Sequence, residues 1–97
     1  MKLQLRRYTI HDGELENFVA EWKVLLVPLR EKLGFTVLQA YTVPDANQFV
    51  WLMGYDGVGS WEIADRAYFE SPERKTMTPD PARLIARMEN QFVGRVR

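Results

Sequence analysis

The chain contains no cysteine. Disulfides, thiolate nucleophiles and cysteine-ligated zinc are therefore excluded, and a reducing compartment fits that composition. Histidine occurs once, at His11. Catalytic metal sites need several converging His, Cys or carboxylate ligands. The sequence has no H-x-x-x-H or D-x-D spacing, so no metal is expected. No apolar run approaches the roughly 20 residues that cross a bilayer, and the opening KLQLRRYT lacks the apolar core of a signal peptide. A cytoplasmic protein without a membrane partner is the expectation. Charge of one sign is also missing: thirteen acidic residues balance thirteen basic ones. The adjacent Arg6 and Arg7 lie on a strand pattern, where neighbours point to opposite faces and make no patch. Nucleic acid is not an expected partner.

What is present is a set of clear periodicities. Leu3 to Ile10 alternates, with Leu3, Leu5, Arg7 and Thr9 on one face and Gln4, Arg6, Tyr8 and Ile10 on the other. Asp12-Gly13 closes this strand. Leu15, Phe18, Val19, Trp22, Leu25, Leu26, Leu29 and Leu33 then step by three and four, one apolar stripe of a long helix. Glu14 and Glu16 at its start, with Arg30 and Lys32 at its end, suit the helix dipole, and Gly34 suits its stop. Pro28 falls inside the helix and removes the hydrogen bond to the Val24 carbonyl, which predicts a kink there.

The second half repeats the order. Phe35–Val43 and Gln48–Tyr55 read as strands joined by the turn Pro44-Asp45-Ala46-Asn47, an antiparallel hairpin. Ser60 caps a second helix whose apolar side holds Trp61, Ala64, Ala67 and Tyr68. Ser71-Pro72 ends it. The polar segment Glu73–Pro79 reads as the least ordered part of the chain, and Asp80-Pro81 as the start of a short helix. Met88–Val96 alternates as a fourth strand.

The 97 residues thus form one domain, 1–97, ordered β-α-β-β-α-β. That is an α+β, ferredoxin-like fold, a four-stranded antiparallel sheet with both helices on one face. The other face is left bare. Large apolar side chains fall on both sides of the third strand: Phe49, Trp51 and Met53 on one, Val50 and Leu52 on the other. A bare face of that kind calls for a partner, and a two-fold homodimer, sheet against sheet, supplies one. A short chain also buries proportionally little surface alone.

Leu5-Arg6-Arg7-Tyr8-Thr9, Gly13-Glu14-Leu15, Phe18, Trp22, Pro28-Leu29, Gly34-Phe35 and Trp51…Tyr55-Asp56 together resemble a small bacterial member of the NIPSNAP family. The likeness covers most of the chain and is strongest up to Asp56. It weakens beyond, where Trp61 stands at a position often arginine in the family, and Ser71-Pro72-Glu73-Arg74 replaces the usual Asp-Pro-Glu-Trp. The resemblance implies a dimeric α+β barrel. That superfamily includes cofactor-independent monooxygenases, haem-degrading enzymes, lactone isomerases and many members without an assigned reaction. Haem-degrading relatives carry their ligand on the second helix. No histidine occurs there, so no haem and no other cofactor is expected.

Candidate ligand-binding residues follow from chemistry. Arg6 and Tyr8 share a strand face and could present a cation and a phenol to a carboxylate or enolate; the plainer reading is an edge ion pair beside a packed ring. Trp22 and Trp51 are the aromatic candidates for a pocket wall, against ordinary core packing. Asp65 shares a helix face with Trp61 and Tyr68 and could act as a base; the simpler reading is a solvated carboxylate paired with Arg66 or Arg74. His11 beside Asp12-Gly13 reads as an exposed turn residue. No catalytic residue is identified. Two function classes remain: a cofactor-free oxygenase or isomerase acting on a small apolar or aromatic molecule between sheet and helices, or a non-catalytic dimeric binding or interaction module. An enclosed cavity touching Arg6 and Tyr8, with an unpaired polar group, separates the first from the second.

Overall fold

The computed structural model describes residues 1–97. Strands β1 (Lys2–Ile10), β2 (Thr36–Val43), β3 (Gln48–Tyr55) and β4 (Ile85–Val93) form one sheet in the order β2-β3-β1-β4. Every pairing is antiparallel. This is the α+β ferredoxin-like arrangement expected from the element order. The register places Gln4 opposite Met53, Arg6 opposite Trp51 and Tyr8 opposite Phe49. Those residues share the face beneath the helices. Phe49, Trp51 and Met53 are all buried, and their bulk decides which side of β1 turns inward. The consequence is that Gln4, Arg6, Tyr8 and Ile10 are buried while Leu3 and Leu5 are half-buried on the outer face.

The first helical stretch is unbroken from Leu15 to Lys32 but changes its winding. α1 (Leu15–Glu21) leads into a five-residue π turn, Trp22–Leu26, and then α2 (Val27–Lys32). Pro28 accounts for it. Its nitrogen has no hydrogen to give Val24, and its ring would clash with that carbonyl. Widening the turn relieves both, and the Val27 N–H donates five residues back to the Trp22 carbonyl. The kink expected at Val24 is thus realised as a π turn. Phe18, Trp22, Leu26 and Leu29 still keep one buried stripe.

α2 ends in a Schellman motif. The Phe35 N–H donates to the Arg30 carbonyl (3.0 Å) and the Gly34 N–H to that of Glu31 (3.1 Å). Gly34 has φ +96°, where an L side chain is strained. The motif turns Phe35 back beneath the Arg30 guanidinium, 4.8 Å from the ring centre. Arg30 itself is only 2% exposed. It lies 3.5 Å from the centre of the Tyr68 ring and donates to Asp65 at 2.8 Å. Both residues belong to α3 (Trp61–Glu70), capped by Ser60, whose Oγ accepts from the Ile63 N–H. One arginine therefore fastens α2 to α3 by a cation–π stack and an ion pair.

Two segments differ from their sequence reading. The polar stretch after Ser71 forms a further helical turn, α4 (Pro72–Lys75), because the Ser71 Oγ accepts from the Arg74 N–H. β4 begins three residues before Met88, and it stops at Val93, which pairs with Leu3, the second residue of β1, so little of its partner strand remains beyond it. Before it, Asp80 caps a 3-10 turn over Pro81–Leu84. No helix is long and apolar enough to cross a membrane.

Two expected outcomes test this frame by urea denaturation. A Cβ on Gly34 would meet only Tyr55, at an ordinary 3.6 Å, so Gly34→Ala costs conformational strain alone, about 1–2 kcal/mol. Asp65→Asn leaves the buried Arg30 without its counter-charge. It destabilises by about 1–3 kcal/mol, less than for a fully buried pair because the Asp65 side chain is 30% exposed.

Candidate functional site

β1 carries an unusual inner face. Arg6 is 2% exposed at the middle of the sheet and meets no carboxylate. Its Nε donates to the Tyr8 hydroxyl (2.9 Å), its Nη1 to the Gln4 Oε1 (2.6 Å), and its Nη2 approaches the Met88 sulfur at 3.7 Å. The guanidinium also lies 5.6 Å from the Trp51 ring. Strand alternation explains the trio: Gln4, Arg6 and Tyr8 are two residues apart and point the same way. Met88 joins them because it pairs with Tyr8 across the β1–β4 ladder. An arginine keeps its charge in proteins, so a permanent cation sits under the helices among neutral partners.

A cavity of about 70 Å³ opens beside it. Arg6, Tyr8 and Trp51 rise from the sheet; Leu26 and Arg30 come from the first helical stretch, and Tyr68 and Phe69 from α3. Arg74, Ala82, Ile85 and Met88 close the remaining side. The π turn ends at Leu26, so the winding defect lies at the cavity wall. Two donors on the lining are buried without an acceptor: the Trp51 Nε1 and the Arg74 Nε. Arg74 is otherwise held by Asp80, 3.0 Å from its Nη2.

Three of the five sequence candidates line this cavity: Arg6, Tyr8 and Trp51. Trp22 stands behind it, edge-on to Phe49 at 4.8 Å and to Trp51 at 5.5 Å between ring centres. Its indole nitrogen is likewise buried and unpaired. Asp65 does not line the cavity. It is the counter-ion of Arg30 rather than of Arg66 or Arg74. His11 is exposed. No group of three or more His, Cys, Asp or Glu side chains is placed to hold a metal.

Arg30, Tyr68 and Arg74 were not among the sequence candidates. A signal existed for Arg30: it falls four residues after Leu26 and three before Leu33, on the apolar stripe itself. Its burial lowers its pKa from the usual arginine value; the Asp65 hydrogen bond partly offsets that lowering, and the like charge of Arg6 adds to it. Burial likewise raises the Tyr68 hydroxyl above 10.0, with the nearby Arg30 and Arg74 cations offsetting part of the effect. A phenol raised in the folded state contributes stability that is complete below its unfolded value and lost as pH climbs through the folded one. Stability should therefore decline above about pH 10.0. Tyr68→Phe should flatten that alkaline decline in denaturation curves collected against pH.

The fold has counterparts. The family model NIPSNAP matches residues 3–96. No curated protein sequence matches the chain. Among solved structures, an uncharacterized NIPSNAP domain protein from Burkholderia xenovorans superposes with a TM-score of 0.83 at 16% identity, covering 98% of this chain and 94% of the other. A NIPSNAP family protein from Agrobacterium tumefaciens gives 0.81 at 16% identity, covering 95% and 90%. A provisionally assigned antibiotic biosynthesis monooxygenase from Nitrosomonas europaea gives 0.69 at 14% identity, covering 100% of both chains. At such identities the superpositions establish the shared fold, and the fold alone. The family model spans nearly the entire sequence, and the chain belongs to the NIPSNAP family.

Proposed function

We propose that this chain acts in the cytoplasm as a homodimer that binds, and transforms, a small apolar or aromatic molecule between its sheet and helices, in the manner of a cofactor-free oxygenase or isomerase. The observation that carries the reading is the cavity at Arg6 and Tyr8, with the Trp51 Nε1 buried beside it and unpaired. Native interiors rarely leave a buried donor without an acceptor. One orphaned N–H next to an uncompensated cation in an apolar wall is the pattern of a site awaiting a polar head group. In chemical terms Arg6 would hold negative charge developing on an oxygen, Tyr8 would share its hydroxyl with that oxygen, and the apolar wall would keep bulk water away.

Dimerisation rests on the outer face of the sheet. Leu5 and Leu52 pair there, with Leu3 and Val50 on either side of them on the same face. Met1, Leu38, Tyr41 and Val93 are exposed large side chains. Together with Leu3 and Leu52, Met1, Leu38 and Val93 border an open groove of about 720 Å³. A second copy presents the same patch, so a two-fold contact covers both at once.

The alternative is a non-catalytic dimeric binding or interaction module. The small volume favours it: about 70 Å³ is well under the roughly 300–1,000 Å³ of sites for drug-sized ligands.

A thermal-shift screen of small aromatic and enolisable compounds, read beside the mass from light scattering, separates these readings. The expected result is a dimer at micromolar concentration and at least one stabilising compound. At a hundredfold excess over its dissociation constant, such a compound adds about 2.7 kcal/mol. Arg6→Ala should abolish that shift. A monomer would sink the assembly, and undiminished binding to Arg6→Ala would make the arginine structural.

A further inference from the structure

We infer that the cavity takes a small organic carboxylate, seated head-first on Arg6, Arg74 and the Trp51 N–H. This rests on the cavity being a ligand site, and adds the charge and class of the ligand. The first argument is a charge count. Three guanidiniums line the cavity, from Arg6, Arg30 and Arg74, and no carboxylate does. Arg30 is matched by Asp65 and Arg74 by Asp80. Arg6 is matched by nothing charged: its partners are an amide oxygen, a phenol and a thioether. The cluster is one negative charge short. A buried cation without a counter-charge is costly, and one monoanion removes the deficit.

The second argument is the sign of the unmet hydrogen bonds. The buried side-chain atoms left without a partner are the Nε1 of Trp22, the Nε1 of Trp51 and the Nε of Arg74. All three are donors. Two of them line the cavity. A ligand that satisfies them must bring acceptors, which excludes ammonium and amidinium groups. A neutral ketone would satisfy the N–H groups and leave the charge on Arg6 unmatched. A carboxylate does both, and its two oxygens suit the planar guanidinium fork.

The third argument is the remainder of the wall. Leu26, Trp51, Phe69, Ile85 and Met88 are apolar and offer a tail little but dispersion contacts. Phe69 and Met88 are each 44% exposed, which places the mouth beside them. The volume of about 70 Å³ admits a head group and a few carbons; a longer tail leaves past that mouth. Inorganic phosphate would use the donors and waste the apolar wall. Arg30 is not free to bind, because it is stacked on Tyr68 and paired with Asp65.

The test is calorimetric titration of the purified protein at fixed ionic strength with isobutyrate, benzoate and phenylacetate. Each is compared with its own neutral amide, and the series with inorganic phosphate. At least one carboxylate should bind about tenfold or more tightly than its amide, the worth of one charge-assisted hydrogen bond. Arg74→Met should remove that preference, lowering the affinity for the acid by more than that for its amide, which loses only a neutral hydrogen bond. Arg6→Met should remove it too; if that variant fails to fold by circular dichroism, Arg74→Met decides alone. Amides binding as well as their acids would overturn the carboxylate and leave the ligand site standing. Phosphate binding as tightly as the best acid would overturn the organic tail. No binding of any probe at millimolar concentration would overturn the ligand site itself along with this inference.

Discussion

A guanidinium buried among neutral groups is the constraint around which this protein is arranged. Arg6 sits at the centre of the sheet, where a ferredoxin-like fold ordinarily packs hydrocarbon. Its hydrogen bonds run along its own strand, to Gln4 and Tyr8, so the strand partly solvates its own charge. Packing then works around that polar line. Phe18, Phe49 and Trp51 surround the Tyr8 ring with centre distances of 5.6, 6.5 and 6.4 Å. The helices close over the aromatic end of the sheet. The cavity is left on the side toward β4, where Ile85 and Met88 stand.

Much of the fold could be read from periodicity because periodicity is local. The alternation of Leu3–Ile10 and the three-and-four stepping of Leu15–Leu33 need no partner to be recognised. Ser60 and Asp80 as caps, and Gly34 as a stop, are equally local, and each stands where its chemistry suggests. What is not local was harder. Hydropathy within β1 favours burying Leu3 and Leu5, yet the register with Phe49, Trp51 and Met53 turns Gln4, Arg6 and Tyr8 inward. The end of β4 depends on where β1 starts, and alternation continuing to Val96 carries no information about that.

The candidate site was legible to the same depth. Arg6, Tyr8 and Trp51 could be grouped because strand spacing and aromatic chemistry converge on one face. Asp65 could be placed on a helix face with Tyr68, but its partner lay 35 residues earlier in the chain. Arg30 looked like a helix-end charge, which it also is: its carbonyl closes the Schellman motif while its side chain turns into the core. Arg74 was hidden in a segment that lacked any apolar period, and it reaches the cavity only because Ser71 winds one more helical turn.

The cavity walls differ in stiffness. On one side Arg30 is clamped by three aromatic rings, a partly buried ion pair and a helix terminus. On the other, Arg74 is tethered to Asp80, whose side chain is 52% exposed, a class of pair worth about 0–1 kcal/mol. Asp80 also caps its own turn through the Ala82 N–H, at 3.0 Å. It therefore keeps an occupation when Arg74 swings away, and the turn need not unravel. The chamber is therefore held unevenly: its Arg74 wall depends on one largely exposed ion pair, while its Arg30 wall is tied into the packing of two helices.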